Sequence, residues 1–226
     1  MISKEFLMNH HSLLPNPLRQ QAYQIIKEAI IYGTFAEGEM IPERRAKEEL
    51  GISRTPFREA IQALEAEGWV YTIPYKGAFV SPITRKDMED LFELRILLET
   101  FIGQKIQDKL TSKHQLKLQL FMEEMKEAVE LSKLDLFIRL DRDFHHYLAS
   151  LSENNRLITV YEQTLDLMRR MGMRALQQEL RNEEVLKEHQ AIIDSFQTGN
   201  VETSLLSHLE NTKIALLSHI KGEHTS

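Results

Sequence analysis

Every proline in this 226-residue chain lies within its first 82 residues: Pro15, Pro17, Pro42, Pro56, Pro74 and Pro82. Proline lacks a backbone N–H and clashes with the preceding helical turn, so it limits helices to short pieces. The stretch 15–83 therefore reads as a small, punctuated domain, and the proline-free stretch 84–221 as a second domain of long helices. With 42% hydrophobic residues, the chain has enough apolar surface to give each part a core. Neither part contains an internal repeat or a low-complexity segment.

In the first part, Ala22, Ile25, Ile26, Ala29 and Ile30 recur at helical spacing within Leu18–Tyr32. Gly33 and Gly38 end that helix and open a loop. Pro42 starts a short helix that runs to Leu50 and is closed by Gly51. Ser53 is placed to cap the next helix, Pro56 is tolerated in its first turn, and the helix runs to about Glu67. The β-prone runs Trp69–Ile73 and Ala78–Val80 read as a hairpin. Three helices and a hairpin make a winged helix-turn-helix. In the second part, Thr84 with Asp87 three residues on is a capping-box start. Six helices are predicted, over about 84–109, 112–132, 135–152, 155–180, 183–198 and 200–220. Short breaks between long amphipathic helices point to an antiparallel six-helix bundle, so the expected fold is mainly α.

The formal net charge of -6 does not advertise nucleic-acid binding. Residues 15–84 carry 8 Lys/Arg against 9 Asp/Glu, and residues 85–226 carry 19 against 24. DNA recognition would rest on where the basic residues sit. The absence of cysteine rules out disulfides and thiolate metal sites, and fits a reducing compartment. Lys4, Glu5, Asn9 and two histidines interrupt the N-terminal apolar residues, so no signal peptide is expected. No stretch approaches membrane-span length. A cytoplasmic protein with no membrane partner is expected.

On the third helix, Phe57, Ala60, Ile61 and Leu64 form a stripe to be buried, and Arg54 and Arg58 share the opposite face with Thr55 beside them. Guanidinium groups near a helix N-terminus can reach base edges or phosphates, and arginine is the usual bidentate reader of guanine. Arg45 on the preceding helix can hold a phosphate. Lys76 at the hairpin tip, next to Gly77, can follow the backbone or enter the minor groove. The competing reading is a set of solvated charges paired with nearby glutamates. Each charge taken alone favours that reading; the helix-turn-helix-wing order favours DNA.

The segment LRQQAYQIIKEAIIYGTFAEGEMIPERRAKEELGISRTPFREAIQALEAEGWVYTIPYKGAFV closely resembles the winged-helix domain of GntR-family regulators, with SRTPFREA and LEAEGWV as its specific signature. The resemblance implies recognition of double-stranded operator DNA by Arg45, Arg54, Arg58 and the wing around Lys76 and Gly77. It also implies a homodimer on a near-palindromic site. Tyr75 departs from the more basic or glycine-rich wings common at this place.

The second part places polar residues where its periodicity asks for apolar ones. Phe137, Asp141, Phe144 and Leu148 form one inward stripe, with His145 a turn beyond Asp141. Val185, His189, Ile192 and Phe196 form another. On the last helix, His208 and Asn211 interleave with Leu205, Leu209, Thr212 and Leu216. A carboxylate and imidazoles facing a core are costly without partners, and a divalent cation satisfies them together. The competing reading is a private Asp141–His145 ion pair and a hydrogen-bonded core His189. LDRDFHHYLASLSENNRL and EHQAIIDSFQTGN resemble landmarks of FCD, the sensor domain of the FadR-like branch of the GntR family. The resemblance carries metal ligation onto Asp141, His145 and His189. It leaves the fourth ligand to Asn211 through its amide oxygen, to His208 about 60° around the helix, or to water. Zinc or nickel suits such ligation, with manganese tolerable.

Arg95 falls within the expected inward stripe Leu91, Leu94, Leu98, Phe101 and Ile102. There it can clamp the carboxylate of an organic-acid effector, or pair with Glu99 four residues on. The resembling pattern LRILLE implies an effector-lining role. Met168, Met171 and Met173 read as core filling. The resulting expectation is a DNA-binding regulator, acting as repressor or activator, whose operator affinity responds to a small acid at a metal-containing pocket. The alternative from another class is a metal-dependent hydrolase using the Asp/His cluster. Three observations weigh against an enzyme: no H-E-x-x-H, no nucleophile motif, and no glutamate placed beside the histidines as an obvious base.

Overall fold

The computed structural model describes residues 17–175 and 181–219. The chain divides into two compact units, Met1–Ile83 and Thr84–Ser226. None of the described helices is long and apolar enough to cross a membrane.

The first unit opens with α1 (Leu18–Ile31), which buries Ala22, Ile26, Ala29 and Ile30 and packs against α3. The chain turns after it at Gly33, whose φ of 71° suits glycine. Next come α2 (Glu43–Leu50) and α3 (Arg54–Ala66), joined by a tight turn in which Gly51 takes the left-handed conformation. Ser53 is the N-cap residue of α3, but its side chain makes no capping bond. Strands β1 (Val70–Ile73) and β2 (Gly77–Val80) pair antiparallel, from Val70 opposite Val80 to Ile73 opposite Gly77. The segment around Met40, expected as plain loop, instead runs along the free edge of β2. Val80 N–H donates to Glu39 at 2.9 Å and Ile41 N–H to the Ala78 carbonyl at 2.8 Å. These bonds tie the α1–α2 connection to the wing. A buried lysine, Lys27, lies over Trp69 and 3.0 Å from the Tyr23 hydroxyl, and so links α1 to the end of α3.

The second unit is helical throughout its described length. It contains α4 (Arg85–Ile106), a 3-10 turn at Gln107–Lys109, α5 (Ser112–Glu130), α6 (Leu134–Ser150), α7 (Asn155–Ala175), α8 (Asn182–Thr198) and α9 (Val201–His219). The Thr84–Asp87 capping box starts α4, and Thr111 with His114 starts α5 in the same way. Residues 176–180, expected as the end of the fourth of these helices, lie outside the described residues, as does the side chain of Met173. The core is built from Ile102, Leu118, Phe121, Met125, Phe144, Leu148, Tyr161, Leu165, Ile192 and Leu205.

The expected stripe of α4 needs correction. Leu91 and Ile102 are buried, but Leu94 and Phe101 are exposed at 39% and 51%; the inward face is Met88, Leu91, Phe92, Arg95, Glu99 and Ile102. The helix carries leucines on two sides, and periodicity alone does not say which side meets the bundle. Its closest neighbour is α9, and Gly103 permits the approach: a Cβ there would stand 2.6 Å from Leu205 Cδ1 and 3.2 Å from Val201 Cγ2. Both of those side chains are buried and have little room to yield. Gly103→Val is expected to destabilise the helical unit by about 1–3 kcal/mol, measured as a lower denaturant midpoint. A midpoint equal to that of the parent would contradict this account of the packing.

Candidate functional site

The first candidate is the exposed face of the helix-turn-helix. Burial of Phe57, Ala60, Ile61 and Leu64 fixes the roll of α3 and turns Arg54, Thr55 and Arg58 outward. The arginine side chains are 71% and 66% exposed. Glu43, at the start of α2, lies between them: Arg54 Nε donates to its Oε1, and Arg58 Nε is 3.6 Å from its Oε2. Hydrogen bonding from Arg54 holds the Glu43 carboxyl below its ordinary value. One carboxylate thus orients two guanidinium groups without burying either. Arg45 is placed differently. It donates to Glu49 at 2.8 Å, to Glu39 at 2.7 Å and to the Thr34 carbonyl at 3.3 Å, and stacks over Phe35. Its contacts brace α2 against the preceding loop. At the wing tip, Tyr75, Lys76 and Gly77 are exposed. Lys76 N–H closes the turn onto Ile73 at 3.0 Å, and Tyr75 has a φ of 65°. That conformation costs a residue other than glycine about 1–2 kcal/mol.

The second candidate lies inside the helical unit. His145 from α6, His189 from α8 and His208 from α9 are all buried, and one ring nitrogen of each lies within 4.8 Å of the others. Both nitrogens of His145 and both of His189 lack a hydrogen bond of acceptable geometry. His145 Nδ1 does approach Glu99 Oε2 at 3.0 Å, and His189 Nε2 approaches Asp141 Oδ1 at 3.4 Å, but neither pair is aligned. Orphaned buried acceptors are costly, and a cation is the partner that would satisfy them jointly. Burial, then the neighbouring His208 and His145, push His189 well below its ordinary pKa, and burial also lowers His208. The neutral rings keep lone pairs available. Nitrogen ligands with one carboxylate suit zinc or nickel, so the residues present fit a metal ion.

Asp141 and His145, expected either to ligate together or to pair privately, do not pair with each other: His145 faces Glu99 and Asp141 faces His189. Of the two candidates on α9, His208 joins the cluster. Asn211 is exposed and donates its amide to Glu188 Oε1 at 2.8 Å. Of the two readings of Arg95, the pairing with Glu99 is present, at 2.7 Å, and the side chain also reaches the wall of a cavity of about 230 Å³. Arg142, Arg169 and Arg181 share that wall with Asp141, His208 and apolar Phe137, Leu165 and Val185; Met168 is also there. Each arginine is braced by a carboxylate, Arg142 and Arg169 by Asp166 and Arg181 by Glu188. Among the described lining residues, four arginines stand against one carboxylate, Asp141.

Sequence reasoning missed Glu188 and Arg181 and gave Glu99 only as a possible partner of Arg95; where it saw no glutamate beside the histidines as an obvious base, Glu99 stands 3.0 Å from His145 and Glu188 2.9 Å from His208. Burial alone would raise Glu99, but the charges of Arg95 and then His145 hold it well below the usual carboxylate range. Burial likewise raises Glu188, and hydrogen bonds from His208, Arg181 and Asn211 bring it down to about 2. The signals were faint: Glu99 is four residues after Arg95, and Glu188 directly precedes His189.

Comparison with known proteins matches residues 18–80 to the bacterial regulatory proteins of the gntR family and residues 90–210 to the FCD domain. The chain is 30% identical over 213 residues to the HTH-type transcriptional regulator YdhC of Bacillus subtilis, covering 92% of this chain and 95% of that one. It is 23% identical to the HTH-type transcriptional repressor RspR of Escherichia coli, covering 86% of each. Among solved structures, a GntR regulator from Rhodococcus superposes with a TM-score of 0.76 at 23% identity, over 90% of this chain and 99% of that one. McbR/YncC of Escherichia coli gives 0.80 at 18% identity, over 92% and 100%; these two likenesses speak for the fold.

The contacts around α3 separate bracing from exposed charge. Arg45→Ala is expected to destabilise the first unit by about 1 kcal/mol or more, whereas Arg54→Ala and Arg58→Ala should leave the melting temperature unchanged. Calorimetry on the three variants checks this, and a loss of stability for Arg54→Ala equal to that for Arg45→Ala would refute it.

Proposed function

Because this chain belongs to the gntR family of bacterial regulatory proteins and carries an FCD domain, it is a DNA-binding transcriptional regulator, and we propose that it is a homodimeric repressor released or engaged by a small organic acid. Family membership also sets aside the hydrolase reading, an outcome that the position of the glutamates alone would not have decided. The likeness to RspR supports repression as the output. The setting proposed is the cytoplasm, where operator DNA is reached.

Arg54, Thr55 and Arg58 read base edges in the major groove, and Lys76 and Gly77 on the wing contact the adjacent backbone or minor groove. Displacing Glu43 from the two arginines frees both guanidinium groups together. Arg45 serves this surface chiefly by holding α2 in place. In the helical unit, His145, His189 and His208 with Asp141 hold a divalent ion, zinc or nickel. When bound, the ion supplies a Lewis-acid positive charge at the edge of the cavity. Arg95, Arg142, Arg169 and Arg181 draw the carboxylate of the effector into the same cavity, and the apolar wall receives its carbon skeleton. The observation that carries this reading is the shared wall: His208 belongs both to the imidazole cluster and to the arginine-lined cavity, and Asp141, 3.4 Å from His189, lines that cavity beside it. An acid that binds one conformational state better shifts the population toward it, and operator affinity follows.

Two experiments test the reading. A duplex selected from a random pool by the parent protein should lose its binding to the Arg54→Ala/Arg58→Ala double variant, with the melting temperature retained; binding within threefold of the parent would refute the assignment of the reader. In the helical unit, zinc at a hundredfold excess over its dissociation constant should stabilise by about 2.7 kcal/mol. His208→Ala should abolish that gain and Asn211→Ala should keep most of it. A screen of small carboxylates then looks for a further rise that depends on loaded metal, and the absence of any such acid would remove the effector assignment.

A further inference from the structure

Glu188 accepts four hydrogen bonds. Arg181 donates to both of its oxygens at 2.8 Å, His208 Nδ1 lies 2.9 Å from Oε2, and Asn211 donates to Oε1 at 2.8 Å. An ionised carboxylate can only accept, so the hydrogen of the His208 ring belongs on Nδ1. In the neutral ring the lone pair is then left on Nε2, the opposite nitrogen. The ring is also held in orientation, stacked against His145 with centroids 5.1 Å apart and an interplanar angle of 23°. Of the three imidazoles, His208 is the one with an aligned carboxylate partner; the pairs at His145 and His189 are close but misaligned. Arg181, which clamps Glu188, stands on the cavity wall and also donates to Thr212 at 3.1 Å.

We infer that Glu188 is a positioning residue: it fixes the tautomer and orientation of His208 as a metal ligand, and Arg181 holds it there from the wall of the cavity. Asn211 belongs to this support and not to the ligand set. The inference rests on the metal reading proposed above. It adds to that reading a physical route between cavity and cluster, since an anion that draws Arg181 toward itself loosens the clamp on Glu188 and hence on His208. Carboxylate partners of ligating histidines typically change metal affinity 10- to 100-fold.

The test uses the full chain and zinc alone. Zinc affinity is measured by competition with a chromophoric chelator for the parent and for Glu188→Gln, and the imidazole nitrogens of the metal-free proteins are observed by 15N NMR. Glu188→Gln is expected to bind zinc about 10-fold or more weakly, and its His208 should lose the single Nδ1–H tautomer of the parent. Glu188→Asp keeps the charge but withdraws it by one methylene, and gives the same measurement should the amide variant fail to fold. Unchanged zinc affinity in a folded Glu188 variant overturns the inference. Should the parent bind no zinc, the metal reading fails on its own; the parent His208 tautomer then decides the positioning claim, and a ring protonated on Nε2 overturns it.

Discussion

The helical unit is organised around the cost of placing charge and imidazole inside an apolar bundle. Arg95 and Glu99 are almost fully buried, as are His145, His189 and His208. Taking an ion pair out of water costs several kcal/mol per ion, and the pair persists only where both partners are held. Here α4 supplies both, four residues apart, and their mutual charge keeps each ionised. His145 on α6 then packs against Glu99, and His189 and His208 close the cluster from α8 and α9. The apolar side chains around this centre, Phe144 stacked on His189 among them, exclude water and sharpen every charge–charge contact. An all-apolar core would be simpler to stabilise. The imidazole nitrogens left without hydrogen bonds are the feature that supports the proposed metal site.

The DNA-binding unit handles its charges in the opposite way. Arg54 and Arg58, the proposed readers, remain in solvent, steered by the single carboxylate of Glu43, so they keep their reach and lose little on giving up that partner. Rigidity comes from elsewhere: the Arg45 contacts, the buried Lys27 beneath Trp69, and the backbone pairing of the Met40 segment with β2. A near-neutral unit is thereby given a localised cationic face. Bulk charge said little about this surface because phosphate and base recognition depend on placement.

Much of the fold was legible in one sequence because the relevant signals are local. Prolines and glycines marked the boundaries of the first unit, the Thr84–Asp87 box marked the start of α4, and 3.6-residue periodicity located α3 and its outward arginines. The Met40 segment was missed because three residues of edge pairing leave no alternation to read. The outward leucines of α4 were misassigned because a helix apolar on two sides has no unique inner face. At the site, His145 and His189 stood out as polar interruptions of apolar stripes. Glu188 did not, and Glu99 entered only as a partner for Arg95, because on a helix that also carries exposed glutamates a buried one looks the same.

Residue order by itself determined the two-part architecture, the helix-turn-helix with its wing, and the set of residue types available for DNA and metal contact. These depend on interactions spanning a few residues, which chain spacing encodes directly. Only the tertiary structure decided that His208 rather than Asn211 faces the other imidazoles, that Asp141 and His145 take different partners, and that four arginines converge on one cavity. The physical reason is that each of these depends on the relative roll and axial offset of separate helices. A shift of one residue turns a side chain by about 100°, and that choice is made by how whole faces pack.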